Sequence, residues 1–333
     1  MKIIVPMAGM GKRMRPHTLT TAKPLIPVGG KPIVQHLMED IIKMCNDKVE
    51  EIAYIIGDFG KEVEQNLIKI AESLGAKGTI YYQDEPLGTA HAILCAEPSL
   101  SGRMVIAFAD TLFRAEFQMP TDCDGVIWVK QIEDPRQFGV VKVDGSGVIT
   151  DFVEKPKEFI SDLAIIGIYY VTDGDNLKKE LQYLIDNDIR DKGEYQLTNA
   201  LENMKNKGLK LKAGKVDEWL DCGNKDATVY TNKRVLEIKN PASHIDPSAK
   251  VVNSTVVHPC FIDAGAVIEN SVVGPHASIG PKSMVSSSVI SNSIIQTNAN
   301  ISGAVVTNSL IGNHTILKGK AQDLSMGDYS TEG

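Results

Sequence analysis

Lys12, Arg13, Arg15 and Lys23 place four positive charges within twelve residues, just after two glycines, Gly9 and Gly11. Glycine lets a backbone turn sharply and bring its N–H groups close to a ligand. Guanidinium and ammonium groups add charge-assisted hydrogen bonds to oxyanions. Together these groups suit a polyphosphate. Charge alone would equally describe a solvated basic loop. The ordered run Gly9-Met10-Gly11-Lys12-Arg13-Met14-Arg15-Pro16, followed by Lys23-Pro24 and Lys31-Pro32, favours a ligand loop. Two phosphate motifs are absent: no Gly-x-x-x-x-Gly-Lys-Ser/Thr string occurs, and Met14 stands where a dinucleotide fingerprint needs its third glycine.

Other groups sit just past apolar runs. Asp110 follows Met104-Val105-Ile106-Ala107-Phe108, and Asp221 lies in Trp219-Leu220-Asp221-Cys222-Gly223. Each alone is a metal ligand or a cap in equal measure. As a pair they suit a hard divalent cation, which takes one or two carboxylates plus substrate phosphate. Gln83 opens Gln83-Asp84-Glu85-Pro86-Leu87-Gly88-Thr89-Ala90. An amide can pair with a pyrimidine edge and a glycine lets a base lie against backbone, although an ordinary helix start reads the same. Glu154-Lys155-Pro156 is otherwise an ordinary surface pair, and Tyr169 fits a pocket wall or a core equally. The seven histidines show no metal spacing; His17, His36 and His91 fall near the motifs without a role, and no serine sits in a nucleophile elbow.

These groups must be carried by a sheet. Lys2–Val5 and residues 51–56, 79–82 and 104–108 read as buried strands, alternating with helices over 33–45, 60–74 and 89–96. Such βαβ alternation predicts a parallel sheet with ligands at the carboxyl ends of its strands. Strands are expected over 126–130, 140–143, 148–154 and 165–171, then helices over 175–186 and 194–205, a strand, and a helix ending near Ile238. After Asn240-Pro241 short apolar steps take over. Val273, Ile279 and Val285 fall six apart, as do Ile295 and Ile301, and Ile311 and Leu317, and Asn-Ser recurs at 253, 270, 292 and 308. Hexapeptide spacing predicts a left-handed β-helix of roughly four coils.

With 333 residues the chain has room for two domains. A net charge of −7 excludes a general nucleic-acid surface. Five scattered cysteines read as reduced thiols, no apolar run is long enough to span a bilayer, and no leader precedes the first strand. The expectation is a cytoplasmic protein with no membrane partner.

The run 9–16 resembles the signature of the sugar-1-phosphate nucleotidyltransferases, Gly-x-Gly-Thr-Arg-hydrophobic-x-Pro followed by Pro-Lys and Lys-Pro. Here Lys12 replaces the Thr, and Ala22 replaces the Pro before Lys23. Trp-Leu-Asp-x-Gly, Gln-x-x-Pro-x-Gly-x-Ala and Glu-Lys-Pro resemble further segments of that family, while Ala109 and Thr111 depart from its Gly-Asp-Asn. Over the whole chain the resemblance is strongest to long-form glucose-1-phosphate thymidylyltransferases with a C-terminal left-handed β-helix. It implies a Rossmann-like, mostly parallel α/β domain over 1–238, a β-helix over 241–318 and a cap or tail over 319–333. It also implies an NTP and a sugar 1-phosphate as partners (best guess dTTP and glucose 1-phosphate), released as NDP-sugar and pyrophosphate. Arg13, Lys23, Asp110 and Lys155 are implied as catalytic, and Asp110 with Asp221 as Mg²⁺ ligands. Ala8, Gly9, Gly11, Gln83 and Gly88 are implied to bind nucleotide, and Gly139, Glu154, Lys155 and Tyr169 the sugar. UTP or GTP as donor, or a non-catalytic homologue that binds nucleotide sugar, are the alternatives. The β-helix is expected to make homo-oligomer contacts.

Overall fold

The computed structural model describes residues 1–115, 119, 122–320 and 323–331. They form two compact units, Met1–Ile26 with Lys31–Asn224, and Pro27–Gly30 with Lys225–Gly333. The helix Lys225–Lys239, which sequence groups with the first domain, therefore clusters with the second.

The first unit is built on a nine-stranded sheet. Its first half contains β1 (Lys2–Pro6), α1 (Ile33–Met44), β2 (Glu51–Ile56), α2 (Lys61–Ser73), β3 (Lys77–Tyr82), α3 (Thr89–Leu94) and β4 (Met104–Ala107). The strands pair in parallel in the order β3-β2-β1-β4. Ile3, Ile4, Val5 and residues 52–56 are fully buried, as strands covered on both faces require. Beyond β4 come β5 (Thr111–Arg114), β6 (Gly125–Gln131), β7 (Gly139–Val143), β8 (Ile149–Glu154), β9 (Leu163–Val171), α4 (Gly174–Asp186), α5 (Leu197–Asn206), β10 (Leu211–Lys215) and β11 (Glu218–Asp221). β9 runs antiparallel to β4, β6 and β7, so the sheet is mixed: Rossmann-like at its parallel end, with β7–β8 as an antiparallel edge.

Two features differ from the sequence expectation. The strand β5 was not foreseen, and it pairs antiparallel with β11 in a separate two-stranded sheet. The helix expected from Glu194 begins at Leu197, because Tyr195 N–H donates to Leu87 O at 2.8 Å and Ala90 N–H to Tyr195 O at 2.9 Å. Those two bonds hold residues 194–196 extended, so tertiary pairing overrides the local helical pattern.

The second unit is a left-handed β-helix with one helix, α6 (Lys225–Lys239), packed in it. Asn232, fully buried on α6, accepts hydrogen bonds at Oδ1 from Gly29 N–H (2.8 Å) and Ser278 Oγ (2.7 Å) and donates from Nδ2 to His276 O (3.2 Å). The described coils stack three parallel faces of five, five and four strands. On one face His244, Phe261, Ser278, Ile294 and Leu310 are successive register partners, so a coil takes 17 and then 16 residues rather than 18. Inward residues are six apart at Val273, Ile279 and Val285, but five apart from Ile268 to Val273 and from Val285 through Ile290 to Ile295. Both kinds of step turn on a left-handed residue: Asn270 (φ 50°), Ser287 (47°) and Asn292 (41°) in five-residue steps, His276 (62°) and Lys282 (56°) in six-residue ones. Asn tolerates that conformation better than most side chains. Serines behind these corners form an internal ladder, with Ser271 N–H donating to Ser254 Oγ, Ser288 N–H to Ser271 Oγ and Ala304 N–H to Ser288 Oγ.

Ile268, fully buried in this narrow core with Val273 and Val285, has nothing to refill its space. Ile268→Ala is expected to cost about 2–5 kcal/mol, read as a fall in the denaturant midpoint of the β-helix.

Candidate functional site

The glycine loop leaves β1 after Pro6, with Met7 N–H still bonded to Ile55 O at 2.8 Å. Gly11 is left-handed (φ 56°), and a Cβ there would press on Thr18 and Lys23 at 3.0 and 3.2 Å. Thr18 Oγ1 donates to Gly11 O at 2.9 Å, and Met14, 1% exposed, is driven into the core. One anchored side chain thus leaves its neighbours Lys12, Arg13 and Arg15 on the exposed side of a short 3₁₀ turn. Around Gly9 no atom would touch an added Cβ.

The β5–β11 pairing brings the two aspartates together. Asp221 is the register partner of Thr111, and Cys222 N–H donates to Asp110 O at 2.9 Å. Lys23 Nζ lies 2.6 Å from Asp110 Oδ2. Asp221 Oδ1 accepts from Gly223 N–H at 3.0 Å. A Cβ at Gly223 would sit 2.9 Å from Asp221 Oδ2 and 3.1 Å from an Arg13 terminal nitrogen, so the glycine leaves room for both groups. Burial and then the Asp110 charge push the Asp221 carboxyl above its ordinary range, against the pull of Lys23 and Arg13. A buried carboxylate beside a second one is a site that gains from added positive charge. Among the described residues no cluster of three or more metal-ligating side chains occurs, so the aspartate pair stands alone as candidate cation ligands.

A cleft opens at the carboxyl ends of the parallel strands, where the topology predicts it. Ala8, Gly9, Gly11, Lys23, Gln83, Gly88 and Asp110 all line it, together with Pro86, Thr89, Phe108 and Glu194, which sequence reasoning did not single out. Gly88 (φ 119°) is irreplaceable in place: a Cβ would lie 2.4 Å from Tyr195 O. Glu194 was hidden because its segment reads as helix.

The Glu-Lys-Pro group forms a neighbouring cluster. Glu154 pairs with Gly139 across β7–β8, accepts from Thr198 Oγ1 at 3.3 Å and lies 3.4 Å from Lys155 Nζ. Lys155 is left-handed (φ 43°). Its backbone is held by Phe138 O, which accepts its N–H, and by Lys192 Nζ, which donates to its carbonyl at 2.5 Å. Phe138 packs edge-on against Trp219 of β11, centroids 4.8 Å apart, tying this cluster to the aspartate strand. Tyr169 is instead a core residue, 6% exposed, with its ring edge-on to Phe108 at 6.2 Å, so it supports the cleft from below. Burial, and then Glu154, raise its pKa. Two histidines of the β-helix that have no visible partner in sequence are also engaged: His276 Nε2 lies 2.9 Å from Glu237 Oε1 and His258 Nδ1 2.6 Å from Ser243 Oγ. Among the described residues no cysteine forms a disulfide, and no described helix is long and apolar enough to cross a membrane.

A family model described as Nucleotidyl transferase matches residues 2–238. Over 326 residues the chain is 28% identical to a glucose-1-phosphate thymidylyltransferase of Streptomyces antibioticus, covering 91% of this chain and 89% of the relative. It is 30% identical to the low-salt glycan biosynthesis nucleotidyltransferase of Haloferax volcanii with the same coverage. Its fold matches a nucleoside-diphosphate-sugar pyrophosphorylase structure from Vibrio cholerae RC9 at a TM-score of 0.60 and 20% identity, over 69% of this chain and 99% of that one.

The geometry carries two expected outcomes. Gly88→Ala should destabilise the first unit by about 1–3 kcal/mol through backbone strain and weaken nucleotide binding, measured by denaturant titration and calorimetry. A raised carboxyl pKa means the folded state holds the Asp221 proton more tightly than the unfolded chain does. Stability therefore falls as pH climbs from the ordinary 3.8 through the raised value. Asp221→Asn, which keeps an acceptor for Gly223 N–H, should melt above wild type at pH 7, with the difference closing toward pH 4 in scanning calorimetry.

Proposed function

Because the chain belongs to the nucleotidyl transferase family, we propose that it joins an NTP to a sugar 1-phosphate, releasing pyrophosphate and an NDP-sugar. The observation that carries this reading is the pairing of Lys23 with Asp110 in the lining of a glycine-loop cleft, with Asp221 and Arg13 close enough to be felt electrostatically. The sugar phosphate oxygen attacks the α-phosphorus in line and the α–β bridging oxygen leaves with pyrophosphate. The attacking oxygen is already anionic, so no base is required.

The residues act by positioning and charge neutralisation. Gly9 and Gly11 present backbone to the triphosphate, and Arg13 holds its β and γ phosphates. Lys23 and Lys155 align the two reacting phosphates. Gln83 and Gly88 take the base, and Glu154 and Gly139 the sugar hydroxyls. Asp110 and Asp221 fit a divalent cation, Mg²⁺ in this reading, since a half-buried carboxylate beside a second one gains from a cation. When bound, the ion neutralises charge on the α-phosphate. The best-fitting substrates are dTTP and glucose 1-phosphate. A chain that only bound nucleotide sugar would have no need for charge on both sides of the transferred group, which favours turnover. The β-helix is the proposed contact between copies, since Val272, Val289 and Val305 stack in register and exposed on one face.

The test is a panel of NTPs against several sugar 1-phosphates with pyrophosphate release monitored; no release from any pair would overturn the reading. Arg13→Ala should lower kcat/KM by about a hundredfold or more, the scale of losing one preorganised donor. Asp110→Asn should abolish turnover while leaving the melting transition in place.

A further inference from the structure

Gln83 and His91 meet at the side of the cleft that the proposed function assigns to the base, and a part for them in nucleotide choice rests on that assignment. Gln83 Nε2 lies 3.2 Å from Gly88 O and 3.1 Å from His91 Nδ1. A carbonyl oxygen can only accept, so the Gln83 atom facing it is the amide NH₂; the opposite orientation would set two acceptors against each other. Burial lowers the His91 pKa against the nearby Glu85 charge, which keeps the ring neutral near pH 7 and leaves Nδ1 able to accept the second amide hydrogen.

We propose that His91 is a positioning residue that locks the Gln83 amide, so that Oε1 is left to accept a hydrogen bond from a nucleobase N–H. Gly88 O alone holds one amide hydrogen; His91 Nδ1 holds the other. With both amide hydrogens taken inside the protein, Gln83, which lines the cleft, has only Oε1 left for a ligand. Thymine, uracil and guanine carry a ring N–H on their pairing edges and can donate to it. Cytosine and adenine present a bare ring nitrogen there, and two acceptors in contact lose the hydrogen bond and keep the desolvation cost. The selectivity thus comes from a histidine that need not touch the nucleotide.

His91→Phe keeps a ring and removes the acceptor. It should lower kcat/KM about tenfold for the preferred nucleotide, through KM with little change in kcat. Discrimination against CTP and ATP should fall by a similar factor. His91→Gln, whose amide oxygen can accept, should restore both. Unchanged selectivity in His91→Phe, or an equal loss with every nucleotide that glutamine does not rescue, would overturn the role. If the phenylalanine variant fails to fold, neutron diffraction from wild-type crystals soaked with dTTP decides directly. Deuterium between Gln83 and both His91 and Gly88 supports the lock; the amide oxygen facing either of them overturns it. Wild type that releases no pyrophosphate with any nucleotide would overturn the transferase reading alone, and calorimetric binding of the same nucleotides to wild type and variants would still decide the role of His91.

Discussion

Two carboxylates held side by side make up the constraint around which the first unit is arranged. Asp110 and Asp221 are 111 positions apart in sequence, yet the antiparallel register of β5 with β11 sets Asp221 opposite Thr111. Their mutual repulsion, added to burial, raises the Asp221 pKa, and the fold offsets that cost with cations drawn from the glycine loop. Lys23 reaches Asp110 directly, while the Arg13 charge acts on Asp221. The same cations are the groups a triphosphate would attract. On the proposed function, one set of residues serves both the charge balance of the free protein and the binding of an anionic ligand.

Much of this was legible in the sequence because it is local. The Gly9–Pro16 run, the continuous apolar strands and the repeated Asn-Ser corners each carry their conformational requirement in adjacent residues. What stayed hidden depends on pairing at long range. Thr111–Arg114 is too short and too irregular to announce a strand; it becomes one through Glu218–Asp221. Glu194 and Tyr195 look helical, but Leu87 and Ala90 take the backbone bonds of Tyr195 and Asp191 those of Glu194, which leaves Glu194 free of a helix and lining the cleft. Tyr169 was open between wall and core from sequence, and its packing against Phe108 decides for the core.

The β-helix shows the same division. Six-residue spacing was visible, but the five-residue steps were not read as such, although the Asn-Ser pairs at 270, 292 and 308, which lie within them, were noticed as a separate repeat. Left-handed residues stand at the corners of five- and six-residue steps alike, so the asparagines mark where the chain turns while the apolar residues mark what lies inside. Serine at the following position then satisfies the backbone N–H exposed by the tight corner one coil away.

Glycines at 88 and 223 serve different ends. At 88 the glycine lets the segment carrying Tyr195 pass within contact of the loop, which turns the Gly88 carbonyl toward Gln83. At 223 it leaves room for the Asp221 carboxylate, which accepts the Gly223 N–H. In both places a missing side chain allows a polar group to be oriented by backbone rather than by another flexible side chain. That arrangement loses little conformational entropy when ligand arrives, because the donors and acceptors are already aimed before anything binds.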